Sequence, residues 1–135
     1  MKSLSILLID DDEIERLKFK KVCKDIKFSC SIVEAVNGSE AFSFLNKIKN
    51  SFDIIVLDLH MPKMNGLELL MKIKLDRNFK NIPIVIMSNS EDDEELKKCY
   101  DIGVSGYFTK PAKYTKYAKK VKSLLKYWKQ NKLIY

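Results

Sequence analysis

The 135-residue chain has few of the residues that mark special structural classes. It holds only 3 cysteines, 3 prolines, 4 glycines and 1 histidine. No apolar run approaches the roughly 18 residues of a membrane span. The cysteines form no CxxC pair, so neither a zinc site nor a disulfide framework is expected. Residues 1–10 read as a strand followed by acids and not as a signal peptide. These absences predict one cytoplasmic globular domain over residues 1–135, with no membrane partner.

Positive charge is concentrated at the C-terminal end of the chain. Lysine and arginine total 25 against 18 acids, a formal net charge of +7, and residues 113–135 contain eight lysines and no acid. On an amphipathic helix such lysines usually form the solvated face, and we favour that interpretation over a nucleic-acid surface. Residues 129–135 are expected to form a C-terminal extension.

Five short apolar segments alternate with five amphipathic segments. The predicted strands are residues 4–9, 31–35, 54–57, 82–87 and 106–109, and apolar residues at helical spacing follow each of them. Strict alternation of this kind calls for a parallel sheet covered by helices on both faces and joined by right-handed crossovers. We therefore predict an α/β fold, a three-layer flavodoxin-like (βα)5 arrangement with strand order 2-1-3-4-5.

Asp58 stands where the third predicted strand ends. The β-branched run 54–57 stops at this acid, and Pro62 and the Asn65-Gly66 pair impose a loop after it. An Asn-Gly pair tolerates the positive φ that such turns use. Ligands of open α/β sheets bind beyond the carboxyl ends of the strands, so Asp58 is expected to face a site. The alternative is that Asp58 only caps a helix or is an ordinary loop aspartate.

Polar residues also follow three other strands. Asp10 and Asp11 follow the first strand, Ser88 the fourth and Lys110 the fifth. The predicted strand order brings Asp10, Asp11 and Asp58 to one edge of the sheet, where the carboxylates repel one another unless a cation is present. Oxygen ligands of this kind suit Mg²⁺, which usually also binds phosphate oxygens.

These residue types match the needs of phosphoryl transfer. The reaction requires an acceptor oxygen, a metal, a cation and a hydrogen-bond donor around the moving group. Asp58 can be the acceptor, Lys110 the cation and Ser88 the donor, beside a bound metal. The sequence therefore predicts a phosphoryl-accepting site.

The motifs, in their order and spacing, resemble those of the response-regulator receiver (CheY-like) family. The resemblance covers about residues 4–128 and rests on Asp10-Asp11, Asp58 with Met61-Pro62 and Asn65-Gly66, Ser88, and Tyr107 with Lys110-Pro111. The C-terminal helix also resembles that of the phytochrome-associated single-domain regulators. The resemblance implies a two-component response regulator whose partner is a sensor histidine kinase or a phosphotransfer protein.

The resemblance assigns a role to each site residue. Asp58 would be the phosphoacceptor, and Ser88 and Tyr107 would be the switch pair. The implied ligands of Mg²⁺ (or Mn²⁺) are Asp10, Asp11, Asp58 and the backbone carbonyl of His60. The implied phosphoryl contacts are Lys110, Ser88 and the backbone of Asn89. Such a protein is a phosphoacceptor switch rather than an enzyme, with only self-catalysed phosphoryl uptake and slow autodephosphorylation.

Three positions depart from the usual pattern of the family. Asn65 stands where an acid often precedes Gly66, a change that keeps the turn. Asn89 stands where a small residue is common, and we expect it to change the access of water or a phosphatase to the phosphoryl group. His60 is either a bystander in its loop or an influence on dephosphorylation.

Two other functions remain open from the residues alone. A phosphorelay intermediate would use the same site. A haloacid-dehalogenase-like phosphatase would use Asp10-x-Asp12 after the first strand, with Asp10 as nucleophile, but that interpretation leaves Asp58 without a role.

The output surface is expected on the fourth helix, fifth strand and fifth helix. Ser90 and the acids of 91–95 predict the start of the fourth helix, and lysines 113–126 line the fifth. A two-fold arrangement would set acids against lysines, and Tyr127 with the apolar end 133–135 would add contact area. We expect a homodimer through this face; docking on the kinase or another acidic partner is the alternative.

Overall fold

The computed structural model describes residues 3–47, 52–61 and 64–133. Within these ranges the strands are β1 (Leu4–Ile9), β2 (Cys30–Ala35), β3 (Ile54–Asp58), β4 (Ile84–Ser88) and β5 (Gly106–Thr109). The helices are α1 (Glu13–Lys24), α2 (Gly38–Lys47), α3 (Gly66–Leu75), α4 (Asp93–Ile102) and α5 (Tyr114–Gln130). A short antiparallel hairpin also pairs His60–Met61 with Met64–Asn65.

The five main strands form one parallel sheet in the order β2-β1-β3-β4-β5. Ile9 pairs with Leu57, and Ser88 pairs with Thr109, so the carboxyl ends of four strands lie along one edge. The predicted flavodoxin-like fold and its strand order are confirmed. In open parallel sheets of this kind, ligands bind at this edge, at the point where β1 and β3 diverge.

Helices cover both faces of the sheet and give it two apolar cores. One core packs β1 side chains such as Ile6 against α1 and α5, with Phe19 and Tyr117 among its buried members. The other packs Leu7 and its neighbours against α2, α3 and α4. This arrangement is the predicted three-layer one. In the described part of the chain, no helix has the length and apolar character needed to cross a membrane.

The start of α4 differs from the prediction. Asp92, and not Ser90, is the N-cap, and its carboxylate accepts the backbone N–H of Glu94 at 3.0 Å. The Ser90 hydroxyl acts two residues before the N-cap, where it accepts the N–H of Asp92 at 3.1 Å, and the helix begins at Asp93. Tyr100 is 51% exposed, because the fully buried Cys99 takes the inward position beside it.

The junction between the hairpin and α3 explains the Asn-Gly pair. Asn65 has a φ of −82° and caps α3, with its side-chain oxygen accepting the N–H groups of Leu67 and Glu68. Positive φ is therefore not the reason for Asn65. Gly66 is required by packing, since an added Cβ would lie 2.6 Å from Cα and 2.8 Å from the carbonyl oxygen of Leu59.

We predict that Gly66→Ala lowers the free energy of unfolding by about 1–3 kcal/mol, because the backbone at Leu59 has to move away. Helix propensity alone predicts the opposite sign. Urea denaturation measures the change, with Glu68→Ala on the exposed side of α3 as a control expected within about 0.5 kcal/mol of wild type. A Gly66→Ala protein as stable as wild type would contradict the close approach.

Candidate functional site

Three strand ends bring charged side chains together. Asp10 follows β1, Asp58 ends β3 and Lys110 follows β5. The Lys110 Nζ lies 3.5 Å from Asp10 Oδ2 and 3.6 Å from Asp58 Oδ2. The side chains of Asp10 and Lys110 are each only 6% exposed. The predicted meeting of these three groups is therefore present in the structure.

Backbone contacts orient the Asp10 segment. The N–H of Asp12 donates to Asp10 Oδ1 at 3.0 Å, and Arg16 Nη1 donates to the Asp10 carbonyl at 2.9 Å. Arg16 is itself held by Glu34, which accepts from its Nε at 3.0 Å. The β1 end is thus tied to α1 and β2, which leaves the second oxygen of Asp10 for the site.

Burial makes the negative charges costly. Removal from water raises the pKa of Asp10 to about 6, opposed by its Asp12 backbone hydrogen bond and by Lys110. Burial also raises the pKa of Asp58 above its ordinary range, again opposed by Lys110. Burial works against the Lys110 charge, yet Asp58, Asp10 and Glu15 outweigh it and raise the pKa of Lys110. The ammonium is therefore firmly charged and the carboxylates still carry uncompensated charge.

Glu15 is a member of the site that the sequence reasoning missed. It lies in the first turn of α1, and its Oε2 is 3.7 Å from Lys110 Nζ. That oxygen is buried and accepts no hydrogen bond. The position of Glu15 in the sequence could have indicated this, because the first turn of α1 follows Asp11 and Asp12 directly and therefore starts at the edge of the sheet.

The predicted switch pair lies at the side of the site next to α4. Ser88 is fully buried at the end of β4, and its Oγ accepts the N–H of Ser90 at 3.0 Å. Tyr107 on β5 donates its hydroxyl to Glu95 Oε1 at 2.8 Å. Burial, with a smaller contribution from the Glu95 carboxylate, raises the pKa of Tyr107 to about 12, so this hydroxyl remains a donor.

The remaining predicted residues lie around the rim. His60 donates its backbone N–H to Asp58 Oδ1 at 3.1 Å, and its half-exposed ring lies 3.0 Å from Glu95. Asp11 is partly buried and close enough to Asp58 to disfavour its ionised form. Asn89 is exposed next to Ser88. Glu95 is a second residue that sequence reasoning missed, since its charge was assigned only to the start of α4.

The oxygen donors fit a hard divalent cation. Among the described residues, no three carboxylate, histidine or cysteine side chains are placed to form a metal cage by themselves. Mg²⁺ does not need such a cage, because it usually binds one or two carboxylates and completes its shell with water and phosphate. Burial raises the pKa of Asp10 in spite of Lys110, so a cation at this place would favour the ionised carboxylate.

Comparison with known proteins identifies the family. The response regulator receiver domain profile matches residues 6–122. Chemotaxis protein CheY-3 of Vibrio cholerae is 33% identical over 110 residues, which is 82% of each chain. The response regulator ARR17 of Arabidopsis thaliana is 31% identical over 122 residues, covering 83% of this chain and 78% of that protein.

Solved structures agree with this result. The phosphorylated cyanobacterial phytochrome response regulator RcpA superposes with a TM-score of 0.91 at 27% identity, over 99% of this chain and 100% of its own. The manganese-bound response regulator Rcp1 gives 0.87 at 27% identity, over 98% and 99%. The chain belongs to the response regulator receiver domain family and is a two-component response regulator of the CheY-like class. These comparisons favour the response regulator interpretation over the phosphatase alternative.

We predict that Asp10→Asn stabilises the metal-free protein near neutral pH. The pKa of Asp10 is raised from 3.8 to about 6 in the fold, so its ionised form destabilises the protein above about pH 6, and this cost disappears near pH 4. The expected gain in unfolding free energy at pH 7 is about 1–3 kcal/mol.

Chemical denaturation in EDTA at pH 4 and pH 7 measures this difference. Asp12→Asn is the control, because Asn also caps helices well and the Asp12 side chain is exposed. An Asp10→Asn protein that is less stable than wild type at pH 7 would contradict the electrostatic account.

Proposed function

We propose that this response regulator accepts a phosphoryl group on Asp58 in a reaction that depends on Mg²⁺. The observation that carries the proposal is the position of the Lys110 ammonium between Asp58 and Asp10 at the sheet edge. Asp58 is the one of these acids that ends the central strand β3, and its Oδ2 faces the lysine. The donor is a phosphohistidine of a sensor histidine kinase or a phosphotransfer protein.

In the transfer step, an Asp58 carboxylate oxygen forms a bond to phosphorus while the phosphorus–nitrogen bond of the donor breaks. The donor imidazole leaves as a neutral group after taking a proton. Lys110 contacts a phosphoryl oxygen, and the Ser88 hydroxyl and the Asn89 backbone N–H donate to the others. These groups stabilise charge on the equatorial oxygens, which is the main catalytic need of phosphoryl transfer.

Asp10, Asp11, Asp58 and the His60 carbonyl are the residues that would hold the metal. When bound, Mg²⁺ or Mn²⁺ neutralises charge on the acids and the incoming phosphoryl group. The oxygen-only donors support this choice, as does the manganese-bound state of the related Rcp1. We propose Asp11 as a direct ligand and Asp10 as one that acts largely through water.

The protein acts as a switch and not as a turnover enzyme. Phosphorylation shifts the equilibrium between two arrangements of Ser88 and Tyr107, and this changes the α4-β5-α5 face. The similarity to RcpA supports a regulator of the phytochrome-associated type. A phosphorelay intermediate remains the second candidate, since it would use the same acceptor.

We predict that Asp58→Asn and Asp58→Ala abolish phosphorylation while the fold remains. With acetyl phosphate and Mg²⁺, intact-protein mass spectrometry should show one added phosphoryl group on wild type, stable in acid and labile in base. Asp12→Asn is the matched control and should be modified as wild type is. A phosphoryl group that persists on another residue of Asp58→Asn would contradict the assignment.

A homodimer is the proposed output assembly. The exposed residues of α4 include the acids Asp93 and Glu94, while α5 exposes lysines such as Lys116 and Lys122. Tyr127 on α5 is 59% exposed beside an open groove of about 340 Å³. Opposite charges around an exposed aromatic side chain support a two-fold contact through this face.

The C-terminal end contributes less to this surface than the sequence predicts. Leu133 is only partly exposed, because it packs against the core that the sheet forms with α1 and α5. Residues 134 and 135, also assigned to the contact, lie outside the described residues. The proposed contact therefore depends on Tyr127, the exposed acids of α4 and the exposed lysines of α5.

We predict that Tyr127→Lys prevents dimer formation. Light scattering on beryllium fluoride-treated protein with Mg²⁺ should show a dimer for wild type at micromolar concentrations, and a dissociation constant at least about 10-fold weaker for Tyr127→Lys. Leu75→Lys is the control, since Leu75 is 80% exposed on α3. A monomeric wild type in every state would end the dimer proposal and leave docking on an acidic partner.

A further inference from the structure

Glu95 joins three separate segments at the side of the phosphoryl-acceptor site. Its Oε1 accepts the Tyr107 hydroxyl at 2.8 Å and lies 3.5 Å from the Ser88 Oγ. The His60 ring lies 3.0 Å from the same carboxylate. The side chain of Glu95 is only 14% exposed. One carboxylate of α4 thus contacts the ends of β4 and β5 and the loop after Asp58.

The Ser88 hydroxyl has a single proton to donate. In the structure this hydroxyl already accepts from the Ser90 N–H, and its contact as a donor is the long one, 3.5 Å, to Glu95 Oε1. A phosphoryl group on Asp58 needs the same proton, so Ser88 has to leave Glu95 in order to serve it. The carboxylate and the phosphoryl group therefore compete for one donor.

Tyr107 faces a similar choice. Its hydroxyl donates to Glu95 at 2.8 Å and lies 3.4 Å from the Ser90 carbonyl. A turn of the ring away from its position in the structure removes the hydroxyl from Glu95. A hydrogen bond to a charged acceptor is among the stronger contacts in proteins, so the cost of breaking it favours the observed position of the ring.

His60 keeps the carboxylate in place for both contacts. Its Nε2 lies 3.0 Å from the Glu95 carboxylate, and His60 belongs to the hairpin that follows Asp58. The carboxylate is therefore held by a ring contact as well as by the Tyr107 hydroxyl. This contact gives His60 a structural role that its position in the sequence left open.

We propose that Glu95 is a positioning residue that holds Ser88 and Tyr107 in the resting arrangement, so that phosphorylation has to displace both from its carboxylate. The inference rests on the proposed function of Asp58 and adds a named group that sets the switching equilibrium. Weakening the carboxylate raises the fraction of protein that is ready for the phosphoryl group, and the apparent affinity for a phosphoryl mimic rises in proportion.

The test measures binding of beryllium fluoride in the presence of Mg²⁺ by calorimetry. Glu95→Gln keeps the side-chain shape and removes its charge, and we expect its apparent dissociation constant to fall roughly 5- to 10-fold. Glu94→Gln is the matched control, because it removes the same charge from the exposed neighbouring position. The affinity for Mg²⁺ alone should be the same in all three proteins.

Tyr107→Phe provides a second, independent variant. It removes the donor of the 2.8 Å contact, so Glu95→Gln should gain less in this background than in wild type. Equal dissociation constants for wild type and Glu95→Gln, equal gains in both backgrounds, or the same gain in Glu94→Gln would each overturn the proposal. A wild-type protein that binds no beryllium fluoride overturns the proposed function itself, and the role of Glu95 with it.

Discussion

The ammonium group of Lys110 lies among the carboxylates of Asp10, Asp58 and Glu15, and much of the structure is arranged around the imbalance that results. One buried positive charge faces three acids, at distances of 3.5 to 3.7 Å that are longer than the roughly 2.8 Å of a tight charged hydrogen bond. The lysine therefore attracts all three carboxylates but forms a short hydrogen bond with none of them. Such a site favours the binding of a further cation. Together with Lys110, that cation can then bind an anion.

The parallel sheet is what makes this arrangement possible. Its strands end together along one edge, and the helices on both faces exclude water from the side chains there. The apolar strands β1 and β3 are buried in the two cores, and the free energy of that burial stabilises the fold. This stabilisation offsets the unfavourable free energy of burying several acids at the ends of the strands.

Receiver function requires that the site communicate with a surface. Glu95 belongs to α4 and contacts Ser88 and Tyr107, so the route that we propose from Asp58 to the α4-β5-α5 face is direct. In this proposal the Glu95 carboxylate and a phosphoryl group compete for the Ser88 hydroxyl, and that competition creates two arrangements.

The sequence by itself determined the alternation of strands and helices and the residues near the end of each strand, because apolar periodicity and loop residues are local properties. The strand order followed from that alternation through the packing rules for parallel sheets. Asp10, Asp58 and Lys110 were predictable as neighbours, since parallel strands bring their ends together. Only the tertiary structure decided that Glu15 lies beside Lys110 and that Glu95 lies beside Ser88 and Tyr107. Their place depends on how α1 and α4 pack on the sheet and on which side of each helix faces its edge, and the charge of an acid in a first helical turn is explained equally well by the helix dipole.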